Sequence, residues 1–175
     1  MRFVILIFFC FFIPSLSWAD KAGEKLKLPD YYLGAWETTA KRTGDFVHVI
    51  KNDGTIVGYF NFGKKEKYTN ITYRILDIQK DSVVLFVREV DLKDPFTGKS
   101  PADATYSYWT FKPDGTHLGL PFMWIMQDTF NPWDRPANPD KKSDAWLLDY
   151  YNTEIADKLF NQHGHFRLPS GRFPE

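Results

Sequence analysis

Four histidines and a scatter of acidic side chains are the groups in this chain best suited to do chemistry. His163-Gly164-His165 could present two imidazoles to a metal ion, but no third ligand stands at a recognisable spacing. As the polar exit of a helix the same triplet needs no metal. His48 and His117 each sit in a strand-like run beside a turn, where an exposed or hydrogen-bonded histidine is the ordinary case. Glu37 follows Trp36, and Arg88 and Glu89 close another strand-like run. Two carboxylates facing one cavity could do acid–base work, although an ion pair or two solvated side chains is the simpler account. The chain has no Gly-x-Ser-x-Gly elbow, no phosphate-binding glycine loop and no His-Glu-x-x-His. No catalytic residue, metal or cofactor is assigned from these groups.

Charge and composition narrow the classes further. The 175 residues carry 22 basic and 22 acidic side chains, so the basic field of a nucleic-acid binder is missing. The 16 Phe, 9 Tyr and 6 Trp equally exclude an acidic, aromatic-poor disordered chain. Met1-Arg2, the apolar run Phe3 to Ile13, Pro14 and the small residues Ser17 and Ala19 read as a secretory signal over 1–19. That run is shorter than the roughly 20 residues a spanning helix needs, so export and release without stable membrane insertion are expected. Cys10 leaves with the signal, and the mature chain then has no thiol for a disulfide, a nucleophile or a metal. A periplasmic or secreted protein relying on its core fits this pattern. Asn70-Ile71-Thr72 is a glycosylation triplet that falls inside a strand-like run and reads as strand.

The elements that must position these groups are mostly β. After a polar lead (20–30), Tyr31 to Thr39 reads as the first strand. Phe46–Lys51 and Thr55–Phe62 form a pair about Asn52-Asp53-Gly54, and Tyr68–Gln79 and Ser82–Asp91 a pair about Lys80-Asp81. Thr105–Lys112 and Thr116–Met126 form a third about Pro113-Asp114-Gly115. All are rich in β-branched and aromatic residues between turn residues, the signature of hairpins. Both Gly-ended triplets suit a three-residue loop with glycine in the left-handed position. Lys51 to Gly58 resembles Lys112 to Gly119, read here as two hairpins converging on one turn chemistry rather than as a duplication. Along Ser82–Asp91, Val83, Leu85 and Val87 fall on one face and Val84 and Phe86 on the other, so both faces are covered, for instance by the barrel interior and by the helix.

The last third differs. Gln127 to Lys142, with Pro132, Pro136, Pro139 and Trp133, is a long loop. Ser143-Asp144 then opens a helix over Ala145–Phe160, with Leu148, Tyr151, Ile155 and Leu159 on its packing face. Residues 163–175, with Pro169, Gly171 and Pro174, are expected to be a loose tail behind a domain spanning 31–162. The fold class is all-β: an antiparallel meander barrel or strongly curved sheet of about seven or eight strands with one C-terminal helix.

Gly34-Ala35-Trp36 near the first strand, the meander of hairpins and the single late helix together resemble the lipocalin-like (calycin) barrels. The phrase Trp109-Thr110-Phe111-Lys112-Pro113-Asp114-Gly115-Thr116 also resembles turns of small bacterial lipocalin-like domains. The resemblance implies that the Trp36 indole lies across the closed end of the barrel as its floor. Phe60, Phe86, Trp109 and Trp124 are then candidates for the wall of a ligand cavity, and Trp133 for its lid. A core filled by large side chains explains the same aromatics without a ligand. Three functions follow in order: an exported, non-enzymatic binder of a small apolar or amphipathic ligand; a protein-interaction module or inhibitor with a solid core, for which Phe96, Phe130 and Trp133 would serve as loop anchors; and a hydrolase or isomerase using Asp, Glu and His.

Overall fold

The computed structural model describes residues 26–38, 46–60, 66–91, 104–129, 136–159 and 161–171. The expected signal segment, Phe96, Phe130 and Trp133 lie outside these residues. Eight strands are formed: β1 (Gly34–Thr38), β2 (Phe46–Ile50), β3 (Thr55–Phe60), β4 (Glu66–Ile78), β5 (Val83–Asp91), β6 (Thr105–His117), β7 (Leu120–Thr129) and β8 (Asn161–Arg167). Each pairs antiparallel with its chain neighbour, and β8 returns to β1 through Trp36↔Arg167 and Thr38↔His165. The all-β meander is therefore a closed barrel of eight strands with one helix late in the chain. Closure gives every strand a partner on both sides and leaves no sheet edge to be protected.

Period-two alternation sorts the side chains of each strand. On β5, Val83, Leu85 and Val87 enter the interior cluster with Trp36, Ile56, Phe111 and Ile125. Val84 and Phe86 point the other way, into a cluster with Tyr108, Leu147, Tyr151 and Ile155 beneath the helix. A strand apolar on both faces is thus covered on both, as its pattern suggests.

The helix α1 (Asp144–Tyr150) opens at Ser143, whose hydroxyl accepts from the Trp146 amide at 3.2 Å. It widens into one π-type turn at Tyr151–Ile155 and tightens at Ala156–Lys158. Arg74 of β4 fastens its start, donating to the Asp144 carboxylate and to the carbonyls of Asp140 and Lys142. Tyr108 Oη donates to the Leu147 carbonyl at 3.0 Å, and the Thr110 and Tyr151 hydroxyls meet at 2.8 Å. Leu147 is the fully buried leucine of this face, while Leu148 is only partly covered.

Three expectations are corrected. Residues 161–167 form β8 and not the start of a loose tail, because β7 needs a partner that can also reach β1. The first strand is shorter than Tyr31–Thr39: Asp30–Tyr32 is a single 3-10 turn that caps the barrel end, with Tyr31 Oη donating to the Phe122 carbonyl at 2.9 Å. Pro113-Asp114-Gly115 is a bulge inside β6, where the register shifts between Pro113 and Thr116. Only the look-alike Asn52-Asp53-Gly54 makes a turn, with Asp53 accepting from the Thr55 amide and hydroxyl. Asp114 instead takes the Trp124 indole N–H at 2.9 Å across the strand pair.

The real β6–β7 turn is Leu118-Gly119, both at positive φ, the two-residue turn whose twist matches the strands it joins. Leu118 sits at φ 53° and is 92% exposed, so it bears the strain of the left-handed region and receives no packing in return. Leu118→Asn is expected to stabilise the protein by about 0.5–1 kcal/mol, since Asn tolerates this conformation. The check is a urea midpoint, and an unchanged or lowered midpoint would show that Leu118 gains something here that its exposure hides.

Candidate functional site

From the capped end to about mid-height the barrel interior is solid. Trp36, Ile50, Ile56, Leu85, Phe111, Met123 and Ile125 pack in one cluster and are closed to solvent. Trp36 stands at its base, its indole N–H donating to the Tyr32 carbonyl at 2.9 Å. Tyr31 and Tyr32 of the capping turn lie against it and against Phe111.

Trp109 is the upper boundary of that filling. It is itself buried, and its indole N–H donates to Ser107 Oγ at 3.0 Å. On its far side is a chamber of about 230 Å³. Phe46, Tyr68 and Trp109 give it aromatic surface, and His48, His163, His165, Thr38, Glu89 and Gln127 give it polar surface. It lies at the end of the barrel opposite the Asp30–Tyr32 cap, where β1, β3, β5 and β7 finish.

Strand parity explains why these residues meet. His48 alternates with Phe46 and Ile50 on β2, and Ile50 is interior. His163 and His165 alternate on β8, opposite Ile125 and Met123, which are interior too. Tyr68 sits where the β3–β4 register shifts, against Gly58 of β3. A Cβ on Gly58 would stand 2.5 Å from Thr69 Cγ2 and 2.7 Å from the Tyr68 ring, so only glycine lets that ring lie over the strand. Phe46 and Phe60 hold the same ring from the side, with centroids 5.4 and 4.5 Å away.

Two imidazoles form the polar centre. His48 and His165 have ring centroids 5.6 Å apart, and His48 meets the Trp109 ring edge-on at 5.4 Å. His165 is 1% exposed; its Nδ1 lies 2.9 Å from the His163 carbonyl oxygen, and its Nε2 has no partner. His48 Nε2 lies 3.3 Å from Tyr68 Oη, and its Nδ1 has no partner. Burial pushes His48 down to about 4, with the neighbouring His163 adding to the effect. Burial likewise pushes His165 down to about 3, helped by His48 and opposed by the bond to the His163 carbonyl. Both rings are neutral at pH 7. His48 and His165 therefore line the chamber as neutral rings and not as positive charges.

Of the residues expected to hold a ligand, Trp109 lines the chamber and Phe60 supports it through Tyr68. Trp36 is interior but belongs to the solid base. Phe86 and Trp124 are not on the interior wall. Leu85 and Val87 point inward on β5, so Phe86 between them lies under the helix. Met123 and Ile125 point inward on β7, so Trp124 lies outside against Phe122 and Asp114. The lid assigned to Trp133 lies outside the described residues. Sequence reasoning missed the His48, Tyr68, His163 and His165 grouping. Its available signal was the alternation of Phe46-His48-Ile50 and of His163-His165, which places each set on one face.

Among the described residues, no three His, Cys, Asp or Glu side chains are gathered so as to hold a metal ion. A larger cleft of about 560 Å³ lies between Leu28, Tyr73 and Leu148, and of its polar lining Arg74 and Asp144 are already committed to each other. No protein-family model, curated protein or solved structure matches this chain.

Proposed function

We propose that this chain is an exported, lipocalin-like binding protein that holds a small amphipathic molecule in the chamber above Trp109. One observation carries the reading: the aromatic surfaces of Phe46, Tyr68 and Trp109 and the polar side chains of His48, His163, His165, Thr38, Glu89 and Gln127 converge on one chamber at the end of the barrel opposite the cap. Apolar walls with a few convergent polar groups are the general form of a small-molecule site. The signal-like start over 1–19 supports export.

Binding suits these histidines better than acid–base catalysis does. A general base works best with a pKa near the operating pH, and His165, at about 3, takes up few protons at neutral pH. The chamber is also smaller than a drug-sized site, which sets the ligand at roughly one aromatic ring with small substituents.

The test is calorimetry and ligand-observed NMR on the mature protein with single-ring aromatics such as p-cresol and toluene. Saturable 1:1 binding is expected, abolished by Gln127→Trp, which fills the chamber from β7, while the far-UV circular dichroism stays that of the parent. Absence of binding by every such probe, or binding that Gln127→Trp leaves intact, rejects the chamber as the site.

A further inference from the structure

We infer that the capped end of the barrel carries a second binding site, a cleft in which Arg167 receives the carboxylate of an aliphatic monocarboxylate. It lies at the opposite end from the chamber above Trp109 and stands apart from the reading proposed for that chamber.

The cleft follows from how three neighbouring strands end. β1 and β7 both begin at the cap, and β8, paired between them, finishes there with Arg167. One further bond leads the chain on, the Leu168 amide donating to the Ala35 carbonyl at 2.8 Å. A cleft of about 350 Å³ is left between these strand ends. Leu33, Leu120, Pro121, Leu168 and Pro169 give it an aliphatic wall, and Arg167 is the one charged residue of its lining.

Arg167 is uncommitted. Its side chain is half-buried, and among the described residues it has no hydrogen-bond or ion-pair partner. Arg74, half-buried on the other side of the barrel wall from the core, is by contrast tied to Asp144 and to two carbonyls. Gly34, which also lines the cleft, lies beside the Arg167 guanidinium. It sits at φ 106°, where glycine is favoured, and a Cβ there would stand 3.6 Å from Nε and 3.7 Å from Nη2 of Arg167. Those two nitrogens form an edge of the guanidinium that can hold a carboxylate by two parallel hydrogen bonds.

The class of ligand follows from the lining. A guanidinium has donors only and calls for an anion, and no Asp or Glu lines the cleft to answer it. One cation balances one negative charge. A phosphate dianion would bring a second charge against an aliphatic wall that cannot neutralise it. The wall has no aromatic ring to stack on, and its leucines and prolines suit a chain of methylene groups.

The experiment titrates residues 20–175 with hexanoate, hexanol, acetate and inorganic phosphate at pH 7. Calorimetry gives the affinities, and NMR follows the Arg167 Hε–Nε resonance. Hexanoate is expected to bind about tenfold more tightly than hexanol, the worth of a hydrogen-bonded charge in a half-open site. It should also move the Arg167 resonance, and acetate should bind more weakly for want of a tail. Arg167→Gln is expected to erase the preference for hexanoate over hexanol. Should that variant not fold, Leu120→Glu decides: Leu120 is 37% exposed, and a carboxylate placed there should displace hexanoate. Gln127→Trp, which fills the far chamber, should leave hexanoate binding unchanged. Loss of hexanoate binding in Gln127→Trp would overturn the inference and leave the chamber reading standing. Equal affinity for hexanoate and hexanol, an unmoved Arg167 resonance, or no binding of hexanoate overturns it as well. Acetate or phosphate binding as tightly as hexanoate overturns it in favour of a general anion site.

Discussion

Lowering the pH from 7 to 4 is expected to destabilise the folded barrel by on the order of 5 kcal/mol, through His48 and His165. Burial holds their folded pKa values at about 4 and about 3, against 6.5 for the exposed ring. The sign follows from proton counting. As pH falls below 6.5 the unfolded chain takes up two protons that the folded chain refuses, so unfolding gains with every step down. Stability at pH 7 is therefore nearly full, and it drains away from pH 6.5 down to about 4 through His48 and down to about 3 through His165. Two such groups give a slope of roughly 2–3 kcal/mol per pH unit between pH 6 and 5. Among the residues lining the chamber, Tyr68, Gln127 and Thr38 are neutral, His163 adds further positive charge on protonation, and the one carboxylate, Glu89, is not among the causes that set either histidine. Asp53, held low by Thr55, loses its contribution only below the ordinary carboxylate range, whereas Asp128, pushed up by burial, gains on protonation and works in the opposite sense to the histidines. Urea midpoints at half-unit steps measure the slope. His165→Gln, which can still donate to the His163 carbonyl, should remove about half of it. A flat profile between pH 6.5 and 5 would mean that the two rings protonate freely inside the fold.

Trp36→Ala is expected to cost about 3–5 kcal/mol, the usual range for truncating a fully buried Trp. The side chain is 0% exposed and joins the interior cluster to the capping turn. Its removal leaves a cavity among Tyr31, Tyr32 and their neighbours that rigid strands on all sides cannot close. It also takes the indole N–H away from the Tyr32 carbonyl. Chemical denaturation of residues 20–175 reads the loss directly. Should the Ala variant fail to fold, Trp36→Phe keeps most of the volume and should lose about 1–2 kcal/mol, mostly from the missing hydrogen bond and a smaller void. A Trp36→Ala loss below about 1 kcal/mol would show that the capped end is not packed as one unit with the barrel. Because the chamber lies beyond Trp109, Trp36→Phe should leave p-cresol binding unchanged, which separates the structural floor from the site.

What was legible from the residues alone is what each strand's own alternation encodes. Val83, Leu85 and Val87 against Val84 and Phe86 already called for two covered faces, and the barrel interior and the helix are those two covers. The hairpin about Asn52-Asp53-Gly54 was readable because Asp53 bonds within its own turn. Helix initiation at Ser143 was readable for the same reason, a local hydrogen bond to the Trp146 amide. Local bonds leave local signatures.

Pairing partners leave none. Pro113-Asp114-Gly115 has the residues of a turn, yet β7 pairs on past it to Leu120, and a turn motif held in a continuing ladder becomes a bulge. Asn161–Arg167 shows no strong strand pattern and becomes a strand because β1 and β7 each offer it a ladder of hydrogen bonds. The site depends on that second event entirely. His48 and His165 are 117 positions apart in the chain, and they share a cavity only because closure sets β8 beside β1 and β1 beside β2. Sequence by itself determined the fold class, most of the strands, the late helix and which residues share a strand face; it left open β8, the Pro113-Asp114-Gly115 bulge and which face turns inward. The inward choice at Trp124 and Phe86, the burial that keeps two imidazoles neutral and the unpartnered Nε2 of His165 were decided by tertiary closure, because each depends on what stands across the barrel and not on the next residue along the chain.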